Sequence, residues 1–217
     1  MNSTVIFDMD GLLLDTEPLW GQSMTEVVTA RNIPVGPDKF RETTGLKIHE
    51  VVHYWSVKYA WQGANIHDVA EEIVDHIIAL SKAEATVMPG ALALLEALKQ
   101  EGFRVAVATS SPDRMLQELI RHFGLNGYFD ELVSADAVAW GKPHPAVFLH
   151  CADKLQSPVL NCVVLEDSVN GVIAAKASRM KAIAVPAAHH YADPRFSLAE
   201  LKVRSLEALD PQLIAAL

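Results

Sequence analysis

Three apolar, β-prone runs in this chain each stop abruptly at side chains able to do chemistry. V5-I6-F7 gives way to Asp8-Met9-Asp10-Gly11, V105-A106-V107-A108 to Thr109-Ser110, and V163-V164-L165 to Glu166-Asp167. A parallel sheet gathers the carboxyl ends of its strands along one edge, where open α/β folds bind ligands. Residues scattered over the chain, Lys142 among them, are thereby expected at one place.

The rest of the pattern supports such a sheet. From Pro89 onward helical and strand-like segments alternate. Helices are expected over 91–100, 112–123, 145–155 and 168–177, and strands over 104–108, 131–134, 162–165 and 181–185. With the N-terminal strand this makes at least five strands joined by helical crossovers. Between Glu17 and Lys82 the pattern changes. Residues 18–31, 48–59 and 66–82 carry apolar side chains at three- and four-residue spacing and contain no convincing strand. The expected fold is α/β: a Rossmann-like doubly wound parallel sheet core, residues 1–15 and 87–217, with an inserted all-helical cap subdomain, residues 16–86. Leu14–Glu17 and Thr86–Gly90 are the expected hinges.

Bulk properties narrow the function classes. The chain has 217 residues, suited to a core with one insertion, and half are hydrophobic, enough for a sizeable core. A net charge of −9 disfavours nucleic acid and anionic membranes as partners. No apolar run reaches the roughly 18 residues that span a bilayer, and the N-terminus lacks a basic-then-apolar signal. Cys151 and Cys162 match no metal or redox spacing and read as buried thiols. A cytoplasmic setting and a monomeric state are the expectations.

The anchors differ in what each says alone. Asp8 and Asp10 lie two apart at a strand end and so share a face, although D-x-D-G also occurs as a simple turn. Glu166 and Asp167 bring up to four acids to the same edge. Two unit charges ~4 Å apart repel by ~4 kcal/mol at an effective dielectric near 20. Lys142 is too little to compensate four carboxylates. Oxygen donors without a His or Cys at suitable spacing point to a hard divalent ion, Mg²⁺. The competing reading makes Glu166-Asp167 part of a helix cap, a task open to Asp167 or Ser168. Thr109-Ser110-Ser111-Pro112 reads as a helix start, with Pro112 at the first helical position and Ser111 capping it; such an N-terminus binds anions. Gly141-Lys142-Pro143-His144-Pro145 holds its lysine in a stiff turn.

In this order these residues resemble the haloacid dehalogenase superfamily, in its phosphatase branch with a helical cap after the first motif. The resemblance covers essentially the whole chain through Phe7–Glu17, Met88–Gly90, Ala108–Ser111, Gly141–Pro145 and Leu165–Gly171. Asp15–Trp20 and the long cap are most similar to phosphatases of 2-deoxyglucose 6-phosphate and hexitol phosphates. The resemblance implies that Asp8 is a nucleophile forming an aspartyl-phosphate and Asp10 the general acid–base. Thr109 and the Ser110 amide would hold phosphoryl oxygens, and Lys142 would neutralise charge. Mg²⁺ would be held by Asp8, the Asp10 carbonyl and Asp167, with Glu166 acting directly or through water. The implied activity is phosphomonoester hydrolysis of a small sugar phosphate.

The alternatives are a sugar phosphomutase and a non-catalytic sugar-phosphate-binding protein. Mutases of this branch usually place a histidine in the first cap helix, where this chain has Trp20, which favours water as the acceptor. Selectivity is expected from the cap. Thr44-Gly45-Leu46-Lys47 resembles the family's specificity loop, with Lys47 reaching sugar hydroxyls or pointing into solvent, and Glu17 is a second substrate-binding candidate. Trp20, Trp55 and Trp61 are candidates for lining a pocket, with cap–core packing the favoured expectation. His49, His53, His67 and His76 show no ligand pattern, and His189-His190 read as a solvated loop pair.

Overall fold

The computed structural model describes residues 3–43, 45–61 and 65–217. Its centre is the first strand, β1 (Thr4–Phe7), every residue of which is buried. Such a run, apolar on both faces, suits the middle of a parallel sheet covered by helices on both sides. The expected α/β architecture is what the chain adopts. After β1 come three long helices, α1 (Glu17–Ala30), α2 (Ile48–Lys58) and α3 (Ile66–Glu84), with a 3₁₀ segment over Pro37–Thr43. Then helix and strand alternate: α4 (Ala91–Gln100), β2 (Arg104–Thr109), α5 (Asp113–His122), β3 (Glu131–Ser134), α6 (Ala146–Lys154), β4 (Cys162–Glu166), α7 (Val169–Ala177) and β5 (Lys181–Ala184). A two-residue β6 (Leu201–Lys202) and α8 (Pro211–Ala216) complete the chain.

The sheet runs in the order β3-β2-β1-β4-β5-β6, with every pairing parallel. Phe7 lies level with Val107 on one side and Leu165 on the other. That register brings Asp8, Thr109 and Glu166-Asp167 to the same rim. β6, α8 and the 3₁₀ segment lie outside the expected elements. They are too short for periodicity to register, so contacts to neighbours decide them.

The helical block is built from amphipathic stripes. Val69, Ile73, Val74 and Ile77 of α3 are all fully buried, as is Trp55 of α2, whose ring packs on Phe40 at 5.1 Å. The chain leaves and re-enters the sheet side by side. Asp15 N–H donates to the Thr86 carbonyl at 2.9 Å, and Met88 N–H to that of Leu13 at 2.9 Å. Both expected hinges therefore form one short two-stranded neck. Both cysteines are buried and unpaired, and burial pushes their thiols upward. No described helix is long and apolar enough to cross a membrane.

Candidate active site

Asp8 follows β1 directly, its N–H still donating to the Leu165 carbonyl at 3.0 Å, and its side chain is almost wholly buried. Opposite it lies Lys142, 2% exposed. The Lys142 ammonium donates to Asp8 Oδ1 at 2.6 Å, Glu166 Oε1 at 2.5 Å and the Ala108 carbonyl at 3.1 Å. Its fourth side is the ring of Phe148, 4.9 Å away. Burial works against that charge, but the carboxylates of Asp8 and Glu166 outweigh it and hold Lys142 above the usual lysine range. A lysine so enclosed is a fixed positive charge.

One ammonium does not balance the acids around it. Burial first, then the charges of Glu166 and Asp10, push the Asp8 carboxyl up to about 7 despite Lys142. Asp167 is raised well above its ordinary value by burial, then by Glu166, Asp8 and Glu17. Oxygens of Asp8, Glu166 and Asp167 lie within 4.8 Å of one another. An all-oxygen set short of positive charge fits Mg²⁺. Two glycines make this crowding possible. Gly11, at φ +72°, would put a Cβ 2.3 Å from Asp167 Oδ2, and a Cβ on Gly171 would fall 1.8 Å from the Glu166 carboxyl carbon.

Both oxygens of the Glu166 carboxylate take donors. Oε1 takes Lys142, and Oε2 takes the Ser168 N–H at 3.2 Å and hydroxyl at 2.9 Å. Direct ligation of an ion by Glu166 would compete with these three donors, and its Oε1 holds the Lys142 ammonium in place. Ser168 caps α7 through the Gly171 N–H. Asp167 is left facing the cavity.

Asp10 sits among donors from two parts of the chain. Its Oδ1 accepts from the Thr16 hydroxyl at 2.7 Å and the Trp20 indole N–H at 2.9 Å. Its Oδ2 accepts from the Ser111 hydroxyl at 2.6 Å and that of Thr109 at 3.4 Å. Trp20, for which packing was the favoured expectation and pocket lining the alternative, lines the cavity and links α1 to Asp10. The expected helix start is also corrected. α5 begins at Asp113 with Pro112 before it, because the Ser111 hydroxyl is committed to Asp10 instead of capping. Sequence reading missed Thr16, Trp20 and Ser111. Their signal is positional, since each lies within a few residues of a strand end or hinge.

These groups floor a cavity of about 680 Å³ roofed by the helical block. Thr109, Ser110 and Glu17 line it alongside Asp8, Asp10, Lys142 and Asp167. The Ser110 hydroxyl also donates to the Gly45 carbonyl at 2.8 Å, tying sheet edge to roof. On the roof, Gly21, Gln22 and Thr25 present one face of α1. Lys47 is not a lining residue. Its ammonium donates to the Val138 carbonyl at 2.6 Å, spanning from α2 to the loop that carries Lys142, and this corrects its expected contact with sugar hydroxyls. Thr44 lies outside the described residues. Trp55 goes into the interior of the helical block, and Trp61 packs half-buried against it. His189 and His190, expected only as a solvated pair, are exposed but sit at the cavity rim, their rings 4.0 Å apart. They follow β5 closely, so the same sheet edge presents them.

Comparison with known proteins gives the family and the fold. The family model described as haloacid dehalogenase-like hydrolase matches residues 5–185. Hexitol phosphatase B of Escherichia coli (strain K12) is 41% identical over 205 residues, covering 94% of this chain and 92% of that protein. A phosphorylated carbohydrates phosphatase of Thermotoga maritima is 33% identical, with 82% of each chain covered. The crystal structure of CbbY from Rhodobacter sphaeroides in complex with phosphate superposes with a TM-score of 0.88 at 27% identity, over the full length of both chains.

Proposed function

The chain belongs to the haloacid dehalogenase-like hydrolases, and we propose that it is a Mg²⁺-dependent phosphatase of small sugar phosphates working through an aspartyl-phosphate. Hexitol and hexose phosphates, with 2-deoxyglucose 6-phosphate among them, are the proposed substrates, in keeping with the phosphatases it is similar to. The observation that carries the reading is the pairing of two carboxylates in different surroundings on one cavity floor. Asp8 lies against a buried lysine, and Asp10 is gripped by hydroxyls and an indole.

In this reading the Asp8 carboxylate attacks phosphorus and the bond to the sugar oxygen breaks. Thr109 and the Ser110 amide hold phosphoryl oxygens, and Lys142 offsets negative charge on Asp8 and the phosphoryl group. Asp10 gives a proton to the departing sugar oxygen. It then takes one from the water that cleaves the acyl phosphate, returning both acids to their starting state. Asp8, the Asp10 carbonyl and Asp167 would hold Mg²⁺, which when bound supplies positive charge to the transferring phosphoryl group.

Residues 16–86 act as a cap, hinged at the neck, that admits substrate when open and excludes water when closed. Glu17, Gln22 and Thr25 on α1 and the His189-His190 rim are the groups placed to meet sugar hydroxyls. Trp20, in the place where related mutases carry a histidine, favours hydrolysis over mutase chemistry. The test is Asp8→Asn assayed on a panel of hexose, hexitol and pentose phosphates, with and without EDTA. Turnover should vanish; activity above about 1% of wild type would remove the covalent route.

A further inference from the structure

Away from the catalytic edge, on the outer side of the helical block, a second group of metal-competent side chains comes together. His67 and Glu71 stand one turn apart on α3, four residues being the spacing that stacks side chains on one helix face. His49, in the first turn of α2, meets them from the neighbouring helix. One donor atom from each of the three lies within 4.8 Å of the others. His49 Nε2 is 3.3 Å from Glu71 Oε1, and the rings of His49 and His67 stack with centroids 5.3 Å apart and planes 21° from parallel.

We propose that His49, His67 and Glu71 form a binding site for a borderline divalent transition ion, Zn²⁺ being the type case. Donors bound at roughly 2.0–2.2 Å to a tetrahedral zinc lie about 3.4 Å from one another. The His49–Glu71 pair already has that separation. His67, whose donor lies within 4.8 Å of the other two, would supply the third ligand. His67 is exposed and the other two are partly so, leaving water the fourth position.

The donor chemistry separates this site from the catalytic cluster. Two imidazoles and one carboxylate favour zinc, copper or nickel, whereas the all-oxygen set around Asp8 favours magnesium. Glu71 is also oriented from outside. Its Oε2 takes an Arg114 N–H at 3.1 Å, which leaves Oε1 toward the histidines. Such outer partners fix the ligand geometry of metal sites. An ion here pins α2 to α3 and, through Glu71 and Arg114, touches α5 of the sheet domain.

Zn²⁺ titration of the full chain by calorimetry, in excess Mg²⁺, tests the site. One Zn²⁺ should bind per chain in wild type and equally in Asp167→Asn. His49→Ala and His67→Ala should each weaken it tenfold or more, with Glu71→Gln as a near-isosteric third variant. Co²⁺ in place of Zn²⁺ should give visible absorption bands that the histidine variants lack. Melting temperatures measured without added metal should match wild type, showing that the helical block stays folded. Absence of stoichiometric binding overturns the proposal. So does affinity unchanged in the histidine variants, or binding lost in Asp167→Asn, which would move the ion to the catalytic edge. Phosphatase activity plays no part in the readout, so this site stands or falls apart from the proposed reaction.

Discussion

The sheet edge and the helical block that roofs it are held by different physics. At the edge, Asp8, Lys142 and Glu166 are nearly or fully buried, and glycines at 11 and 171 permit contacts that any side chain there would block. Across the seam to the roof, the ion pairs are exposed, Arg114 to Asp75 and Glu71 and Lys82 to Glu118, and they stand beside part-buried hydrogen bonds such as Ser110 to Gly45 and Lys47 to Val138. Buried charges cost much to separate, while exposed pairs are individually worth ~1 kcal/mol or less. In the proposed reaction, an edge held by buried charges would keep the chemistry in place while the cap opens and closes above it.

The most severe way to break the contrast is Lys142→Met. It leaves Asp8 and Glu166 facing each other in a dry site, with an expected stability loss of about 3–5 kcal/mol. Hydrolysis should fall at the same time. Urea unfolding together with a steady-state assay checks both. A folded variant of wild-type stability would show the lysine to be dispensable as a counter-charge.

Next comes pH. The Asp8 carboxyl is raised from 3.8 to about 7 in the fold. Below the unfolded value both states hold the proton. As pH climbs toward 7, the unfolded chain releases it while the native chain retains it, so native stability falls. Metal-free protein should therefore lose stability between about pH 4 and 7. Mg²⁺ should restore more of it near pH 8 than near pH 5, since only the ionised acids bind it. Melting curves with EDTA or Mg²⁺ at both pH values decide this; an equal gain at each would contradict it.

Trp20→Phe sharpens the comparison where roof meets edge. It removes one donor from Asp10 while keeping an aromatic ring. Hydrogen bonds to charged groups contribute about 1.5–3 kcal/mol, so kcat should drop by roughly tenfold or more. KM for a hexitol phosphate should change little. A shift in KM alone would make Trp20 a wall of the pocket instead of a positioning residue.

Arg114→Ala should do least. Exposed on the seam, it should cost under ~1 kcal/mol by denaturant melt. A much larger loss would mean that the roof is fastened more firmly than its ion pairs indicate.

The site residues nearest the strand tips were the legible ones. Asp8, Asp10, Thr109, Glu166 and Asp167 each end an apolar run, and strand ends are local features with a local signal. The partners of Asp10 were less visible. Ser111 read as a helix cap because serine before proline does cap helices, yet its hydroxyl found a carboxylate from another strand. Lys47 read as a substrate contact or a solvated lysine because its loop resembles the family's specificity loop, but the carbonyl of Val138 lay within reach. His49 and His67 showed no metal spacing because they come from two helices.

What the amino-acid order determined by itself was the alternation of strands and helices, the helical insertion after the first strand, and the acids and hydroxyls at the strand ends. Periodicity and turn chemistry are properties of neighbouring residues, so they are readable without a fold. Only tertiary structure decided which donor each carboxylate took, that two histidines stand at the cavity rim, and that a tryptophan reaches the second aspartate. Those outcomes depend on distances of a few ångströms between elements far apart in the chain. Packing sets such distances, and no local pattern encodes them.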